Sequence, residues 1–226
     1  MNEDYNYFQN EQFRKSLTAY EDMLASGKHE EFDAETLTDI AEYYSMEQRT
    51  DDANRCIQYA LSFYPDSVDP QIFLSRQQMF ANNEAKAWFI CRQISDQNDR
   101  EVLFLKAELY FYFNKTEQGF QLLMKAYSEC DEEQEAADLL YDSICLCRDY
   151  ELNQKALEWV MLLRSEHPDY ADIDVLEAEV RNVLGEHEAA IRLAEGYLEN
   201  NPYDTHAWMQ LAEAHLMMEH YEEATE

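Results

Sequence analysis

The sequence predicts an all-α protein, an α-solenoid of stacked helical hairpins, and three observations support this fold class. First, packing residues recur at helical spacing: Trp208, Leu211, Ala212 and His215 lie at i, i+3, i+4 and i+7, on one stripe of a helix. Second, the 226 residues contain only four glycines and four prolines, too few for a sheet-rich fold with many tight turns. Third, the chain repeats itself with a period near that of one helical hairpin, which indicates an array rather than one compact core.

The clearest unit is the stretch from Thr205 to Ala224. After the first helix, a second helix is predicted to start near Tyr221. The connection between them is short, so the two helices must fold back antiparallel. Small Ala212 and Ala224 allow close approach at the crossing.

The same spacing recurs upstream, with small residues near positions 8, 20 and 27 of each unit and proline near position 32. In the unit that begins at Ala34 these residues are Ala41, Ala53, Ala60 and Pro65. Successive units begin at Ala34, Val68, Arg100, Ala137, Ala171 and Thr205, which are 34, 32, 37, 34 and 34 residues apart. We therefore predict five complete repeats, 34–67, 68–99, 100–136, 137–170 and 171–204, followed by an incomplete sixth repeat, 205–226.

This pattern resembles the tetratricopeptide repeat, a helix–turn–helix unit with a period of 34 residues. The resemblance covers every unit from Ala34 onward. It is weakest in the unit that begins at Val68, where Asp99 replaces the proline and Ile94 the small residue. It implies a right-handed superhelix of tetratricopeptide-like hairpins, without a catalytic site, whose concave side binds a protein or peptide.

Residues 1–33 are predicted to form a partial repeat that caps the N-terminal end. The segment Phe13–Leu24 has the pattern of a second helix alone, and Tyr7 would lie on a shortened first helix. One continuous helix from about Tyr5 to Ala25 fits the same residues, and the sequence does not decide between them.

At the other end, the sequence stops shortly after the predicted second helix of the sixth repeat begins. The apolar faces of Trp208, Leu211 and Leu216 would then stay partly uncovered. Repeat arrays normally close with a polar helix. We therefore expect either a longer protein or a partner at this end, including self-association through the open repeat.

The charge of the chain narrows the class of partner. It carries 48 acidic against 17 basic residues, a net charge of −31, and every repeat is net acidic. Such a surface repels phosphate backbones, so no nucleic acid partner is expected. The acidity either keeps a long helical surface in solution or attracts a basic segment of a partner.

Membrane insertion is not expected either. The richest apolar stretch, Val102–Phe113, is interrupted by Lys106 and Glu108, and no run of 18 apolar residues exists. The first residues contain no basic, apolar leader. Five scattered cysteines are typical of reduced packing residues, so the sequence predicts a cytoplasmic protein.

No group of residues predicts catalysis, a metal site or a cofactor. Cys145 and Cys147 are two residues apart on a helix and point away from each other. None of the six histidines forms the helical metal motif, and no glycine-rich phosphate loop occurs. Paired carboxylates such as Asp51 and Asp52 fit exposed helix starts. We therefore predict that the protein is not an enzyme.

The resemblance also implies a binding groove. In the family, positions 5, 9 and 12 of each first helix line the concave side and contact the ligand. Carried over to the central units with their neighbours, these positions give the candidate groove residues Ile72, Arg76, Met79, Phe80, Phe104, Glu108, Phe111, Tyr112, Tyr141 and Arg148. An apolar, aromatic floor flanked by two arginines would suit an extended or helical peptide. At least half of the rings in Tyr110–Phe113 must instead serve packing between repeats.

The predicted function is therefore a cytoplasmic, non-catalytic scaffold or adaptor that binds a peptide or helix of a partner protein. One alternative is a sensory, regulatory or spacer module at the N-terminal side of a longer protein. Another is a glycan-active enzyme of the helical-toroid kind. That enzyme would need long loops, whereas the predicted connections run about two to eight residues.

Overall fold

The computed structural model describes residues 7–27 and 30–218, and within these ranges the protein is helical with no strand. Twelve helices have their bounds in the described residues: α1 (Glu11–Ser26), α2 (Ala34–Met46), α3 (Thr50–Phe63), α4 (Val68–Phe80), α5 (Glu84–Cys91), α6 (Arg100–Tyr112), α7 (Thr116–Glu129), α8 (Glu133–Asp149), α9 (Asn153–Glu166), α10 (Ile173–Val183), α11 (His187–Leu198) and α12 (Thr205–Met217). The all-α prediction is confirmed. The second helix predicted from Tyr221 lies outside the described residues.

Helices α2, α4, α6, α8, α10 and α12 are called first helices below, and α3, α5, α7, α9 and α11 second helices. Four first helices begin at residues where the sequence places a repeat start, namely Ala34, Val68, Arg100 and Thr205. Helix α8 begins earlier, at Glu133, because the acidic connection before Ala137 is itself partly helical. Helix α10 begins later, at Ile173, because Asp172 has a left-handed backbone.

The helices form two compact units, Met1–Lys115 and Thr116–Glu226. In the N-terminal unit, α2 packs against α3 and α4 against α5 as antiparallel hairpins, and each first helix also contacts the next one, α2 with α4 and α4 with α6. This is the arrangement of an α-solenoid, in which each hairpin buries its apolar face against its neighbour.

Two apolar clusters hold the N-terminal unit together. One joins α1, α2 and α3 through residues such as Tyr20, Leu37 and Ile57. The other joins α4, α5 and α6 through residues such as Met79, Ala87 and Leu105. All of these side chains are buried, so the core lies between hairpins rather than at one centre.

The C-terminal unit contains the hairpins α8/α9 and α10/α11, with α12 packed on α10 and α11. Its core between α10, α11 and α12 is rich in alanine, with Ala178, Ala190, Ala194, Ala207 and Ala214 all buried. Small side chains let the helix backbones approach closely. Asn182 adds a buried polar link, since its amide donates to the carbonyl oxygen of Gln210 at 2.8 Å.

The turns after the first helices α2, α4, α6, α8 and α10 share one conformation, while the corresponding residue after α12 lies outside the described residues. The residue two positions beyond the helix has a positive φ, and the next N–H closes a bond back to the last turn, as from Arg49 to the Tyr44 carbonyl at 2.7 Å. The residues with positive φ are Gln48, Asn82, Asn114, Glu151 and Gly185. Glycine adopts this conformation readily at Gly185, whereas the four other residues adopt it without being glycine.

Helix α1 begins at Glu11 because Asn10 is extended and its side-chain oxygen accepts a hydrogen bond from the Phe13 N–H at 2.7 Å. It ends at Ser26, and Gly27 after it has a left-handed backbone. An unbroken helix running back through residues 8–10 is therefore wrong, although Tyr5 itself lies outside the described residues. No helix of the described ranges has both the length and the apolar character to cross a bilayer.

Candidate partner-binding face

The first helices of the N-terminal unit form an open pocket of about 420 Å³. All of its lining residues belong to the first helices α2, α4 and α6. Its lining consists of Glu35, Thr38, Asp39, Glu42, Asp69, Ile72, Arg76 and Glu101. Five of these eight residues are acidic and only Arg76 is basic, so the pocket concentrates negative charge.

Three of the carboxylates occupy equivalent places, the second residue of their helices: Glu35 in α2, Asp69 in α4 and Glu101 in α6. We call them the acidic ladder. Each one locally favours its helix start, because a negative charge complements the positive N-terminal end of the helix dipole. The stacking of the three helices then brings the three charges to one side of the unit.

Two carboxyl groups of the acidic ladder, those of Asp69 and Glu101, have raised pKa values. Burial raises the pKa of the Asp69 carboxyl, and repulsion from Asp99 and Asp33 adds to the shift. Burial likewise raises the pKa of Glu101, with Asp69 and Asp99 contributing. A raised pKa means that the surroundings disfavour the negative charge. Burial is the larger cause at both residues, and the neighbouring carboxylates add to it.

Asp39 lies in the same pocket and interacts with the start of the described chain. The Tyr7 hydroxyl donates a hydrogen bond to its Oδ2. Burial still raises the pKa of Asp39, and the same contact raises the pKa of Tyr7 to about 12. The sequence indicated neither this contact nor the pocket, although acids at equivalent positions of successive repeats were a visible signal.

The other end of the first helices is apolar. Met46, Phe80 and Tyr112 are the last residues of α2, α4 and α6, and we call them the apolar edge. Phe80 is 67% exposed and Met46 51%. The Phe80 ring packs edge-on against Tyr112, with ring centroids 5.9 Å apart. Phe80 and Tyr112 belong to the groove predicted from the sequence, whereas Met46 was missed.

The acidic ladder and the apolar edge lie on one stripe of each helix. At 100° per residue, positions 9 and 13 of a helix each lie within about 20° of position 2, on either side of it. In α4 these positions are Asp69, Arg76 and Phe80. Eleven residues along a helix span about 16 Å, so this distance separates the ladder from the edge.

Three predicted groove residues belong to the core. Met79 and Phe111 are buried within their own unit, so they are corrected from groove contacts to packing residues. Met79 packs in the apolar cluster that joins α4, α5 and α6. Ile72 is buried as well and forms part of the pocket floor.

The two predicted groove arginines are already paired. Arg76 donates from Nε to Oε2 of Glu108 at 2.8 Å, so these two groove residues contact each other. Arg148 donates to Oε1 of Glu179, whose other oxygen lies 3.4 Å from Nε2 of His206. Each guanidinium therefore has a carboxylate within the protein.

The remaining predicted groove residues lie in different units. Phe104 is half-buried in the N-terminal unit, with the Arg100 guanidinium 6.0 Å from its ring centre. Tyr141 belongs to the C-terminal unit, where its ring lies 5.7 Å from that of Tyr170. Arg148 is in the same unit as Tyr141, and the other eight predicted residues are in the N-terminal unit.

The buried cysteines lie in apolar surroundings that disfavour the thiolate. Burial raises the pKa of Cys56 and Cys147 to about 12 and that of Cys91 to about 11, so these thiols stay protonated and unreactive at neutral pH. Across the described residues, no group of three or more histidine, cysteine, aspartate or glutamate side chains is arranged to hold a metal ion.

Comparison with known proteins supports the fold. No protein-family model matches the chain, and no curated protein sequence does either. Among solved structures, a similar chain is PilF of Pseudomonas aeruginosa, with 14% sequence identity and a TM-score of 0.50, covering 85% of this chain and 87% of PilF. PilF contains tetratricopeptide repeats. At this identity the likeness shows the fold alone, which is a tetratricopeptide-like array of helical hairpins.

Proposed function

We propose that this protein is a non-catalytic interaction scaffold and that the first-helix face of its N-terminal unit binds a segment of a partner protein. One observation carries the proposal: the pocket of about 420 Å³ and the apolar edge are both built by the same three helices, α2, α4 and α6. Equivalent positions of successive helices form rows. A row of contacts suits an elongated ligand such as a peptide or helix.

Phe80 is the contact residue that this proposal favours most. Its ring is largely exposed, although burying an aromatic side chain is favourable by about 25 cal/mol per Å² of apolar surface. Aromatic rings also dominate the energetic centres of protein interfaces. The Tyr112 ring supports it from one side and restricts its motion, so Phe80 is a partly preorganised contact.

In this proposal the paired arginines Arg76 and Arg148 hold first helices together rather than contact the partner. Arg76 links α4 to α6 through Glu108, and Arg148 links α8 to α10 through Glu179. Each pair joins neighbouring first helices and so maintains the face on which they lie.

The proposed setting is the cytoplasm, and the proposed partners exclude nucleic acid. Five free cysteines support a reducing compartment, and the net charge of −31 disfavours polyanions.

Affinity capture of partners with matched phenylalanine variants tests the proposal. Phe80→Ala should reduce recovery of the partner at least about tenfold, the loss typical of one energetic centre of an interface. Phe89→Ala is the matched control, because Phe89 is 64% exposed but lies on the second helix of the same hairpin. Equal recovery with wild type and both variants would contradict the proposed face.

A further inference from the structure

We propose that the partner segment is a basic amphipathic helix that lies across α2, α4 and α6, with lysine or arginine side chains on the acidic ladder and apolar side chains on the apolar edge. This inference rests on the proposed function and names the chemical class of the partner. Its basis is the chemical difference between the two ends of one surface.

The spacing of the two rows favours a helix. The ladder and the edge are about 16 Å apart along the first helices, and a helix with its side chains is about 10–12 Å wide. A helix placed between the rows reaches both with its side chains, whereas an extended chain is narrower. Three first helices packed about 9 Å apart span a distance that about 13 helical residues cover.

The charges favour a basic occupant. Within the part of the chain that the structure describes, no ion pair involves Glu35, Asp69 or Glu101. The one base in the pocket, Arg76, donates to Glu108 instead. The raised pKa values of Asp69 and Glu101 agree with this imbalance. A lysine or arginine entering the pocket would relieve repulsion that the folded protein otherwise retains.

The apolar edge distinguishes an amphipathic helix from a purely basic segment. Met46 and Phe80 each leave more than half of their surface in water, and Tyr112 lies next to Phe80. A polybasic chain would leave these side chains exposed. An acidic helix would bury them but would bring its carboxylates toward the ladder.

Two synthetic helices test the inference by fluorescence anisotropy with the whole chain. One has lysines along one face and leucines along the other, and its counterpart has glutamates in place of the lysines. The wild-type protein should bind the lysine peptide, with affinity falling as salt is raised, and should not bind the glutamate peptide. Absence of binding to the lysine peptide, or equal binding of both, would overturn the inference.

Charge reversal of the ladder sharpens the test. The triple variant Glu35→Lys, Asp69→Lys, Glu101→Lys should bind the lysine peptide at least about tenfold more weakly and should gain binding of the glutamate peptide. The control, Glu166→Lys, Glu195→Lys, Glu199→Lys, changes the net charge equally at exposed positions of the C-terminal unit. Equal losses in both variants would show that only net charge matters and would overturn the inference.

One further ladder variant, compared with Phe80→Ala, separates this inference from the proposed function. Glu35→Gln, Asp69→Asn, Glu101→Gln keeps the side-chain shapes and should also weaken lysine-peptide binding, so a folding defect of the lysine variant does not decide the result. If Phe80→Ala weakens binding while neither ladder variant does, the partner class is wrong and the proposed face stands. If no variant on this face changes binding, both fail.

Discussion

Arg76 and Glu108 occupy the same position in successive repeats and form an ion pair, with Nε 2.8 Å from Oε2. The pair joins two first helices through side chains that are 32 residues apart in sequence. It is partly shielded from water, so it is screened less than a pair on an open surface. The pair therefore couples the hairpins that it connects.

Breaking this pair should destabilise the protein. We expect Arg76→Met to lower the free energy of unfolding by about 1 kcal/mol. A double-mutant cycle of Arg76→Met and Glu108→Gln, measured by urea denaturation, should give a coupling energy of about the same size. Arg55→Met, at an exposed pair on α3, should change it by about 0.5 kcal/mol or less. Zero coupling would show that the contact contributes nothing.

Arg76→Glu should have a larger effect than Arg76→Met. The sequence alone predicts that Arg76→Glu or Arg148→Glu weakens partner binding without unfolding. The structure adds a loss of stability, because each new carboxylate would face an existing one, Glu108 or Glu179. Any loss of binding by these variants therefore has to be compared with their melting temperatures.

Two alanines of α5 test the packing within a hairpin. Ala87 is fully buried, and the Ser75 hydroxyl of α4 donates to its carbonyl oxygen at 3.0 Å, so the two helices approach closely there. Ala87→Leu should destabilise by about 1–3 kcal/mol through overpacking. Ala85→Leu, on the exposed side of the same helix, should be nearly neutral. Equal melting temperatures of Ala87→Leu and Ala85→Leu would contradict the close approach of α4 and α5 at Ala87.

Glu177 is a buried carboxylate, and its negative charge is stabilised by two arginines. It accepts hydrogen bonds from Nε of Arg164 at 2.8 Å and from Nε of Arg181 at 2.6 Å, which joins α9 to α10. Glu177→Ala should lower the free energy of unfolding by about 2–3 kcal/mol, because it leaves both guanidinium groups without this partner. The loss should be measured at low and high salt, and a strong salt dependence would contradict the buried character of the pair.

The carboxyl groups of Asp33 and Asp69 should have opposite effects on the free energy of unfolding at neutral pH, because the pKa of Asp33 is lowered and that of Asp69 is raised in the folded protein. A hydrogen bond with Thr36 at the start of α2 lowers the pKa of Asp33, so its stabilisation is present above its unfolded pKa of about 3.9 and is lost as pH falls through the folded value. Burial raises the pKa of Asp69, so its charged form is unfavourable above the folded value. Asp33→Ala should therefore destabilise by about 1 kcal/mol at neutral pH.

Asp69→Asn should instead stabilise at neutral pH, by about 0.5 kcal/mol or less because the site is partly open to water. This gain should shrink as the pH falls through the raised folded pKa, because Asp69 is then protonated in the native protein. Urea denaturation across the acidic range measures both profiles. A loss of stability in Asp69→Asn at neutral pH would contradict the raised pKa of Asp69 in the folded protein.

The sequence by itself determined that the chain forms helical hairpins, because its signals are local. These signals are apolar residues at helical spacing, acids in the first turns and small residues at fixed intervals, and they act between residues near each other in the chain. The starts of four first helices could therefore be located from the sequence, at Ala34, Val68, Arg100 and Thr205. Phe80 and Tyr112 are groove candidates because the resemblance to the tetratricopeptide repeat places them beside the groove positions of their helices.

Only the tertiary structure decided which groups meet across repeats. In the folded protein Met79 and Phe111 are buried, and Arg76 forms an ion pair with Glu108. Three carboxylates from separate helices line one pocket, namely Glu35, Asp69 and Glu101. Each outcome depends on how far one hairpin is rotated against the next. A rotation of about 100°, one residue on a helix, exchanges a core position for an exposed one, and no local pattern in the sequence sets that angle.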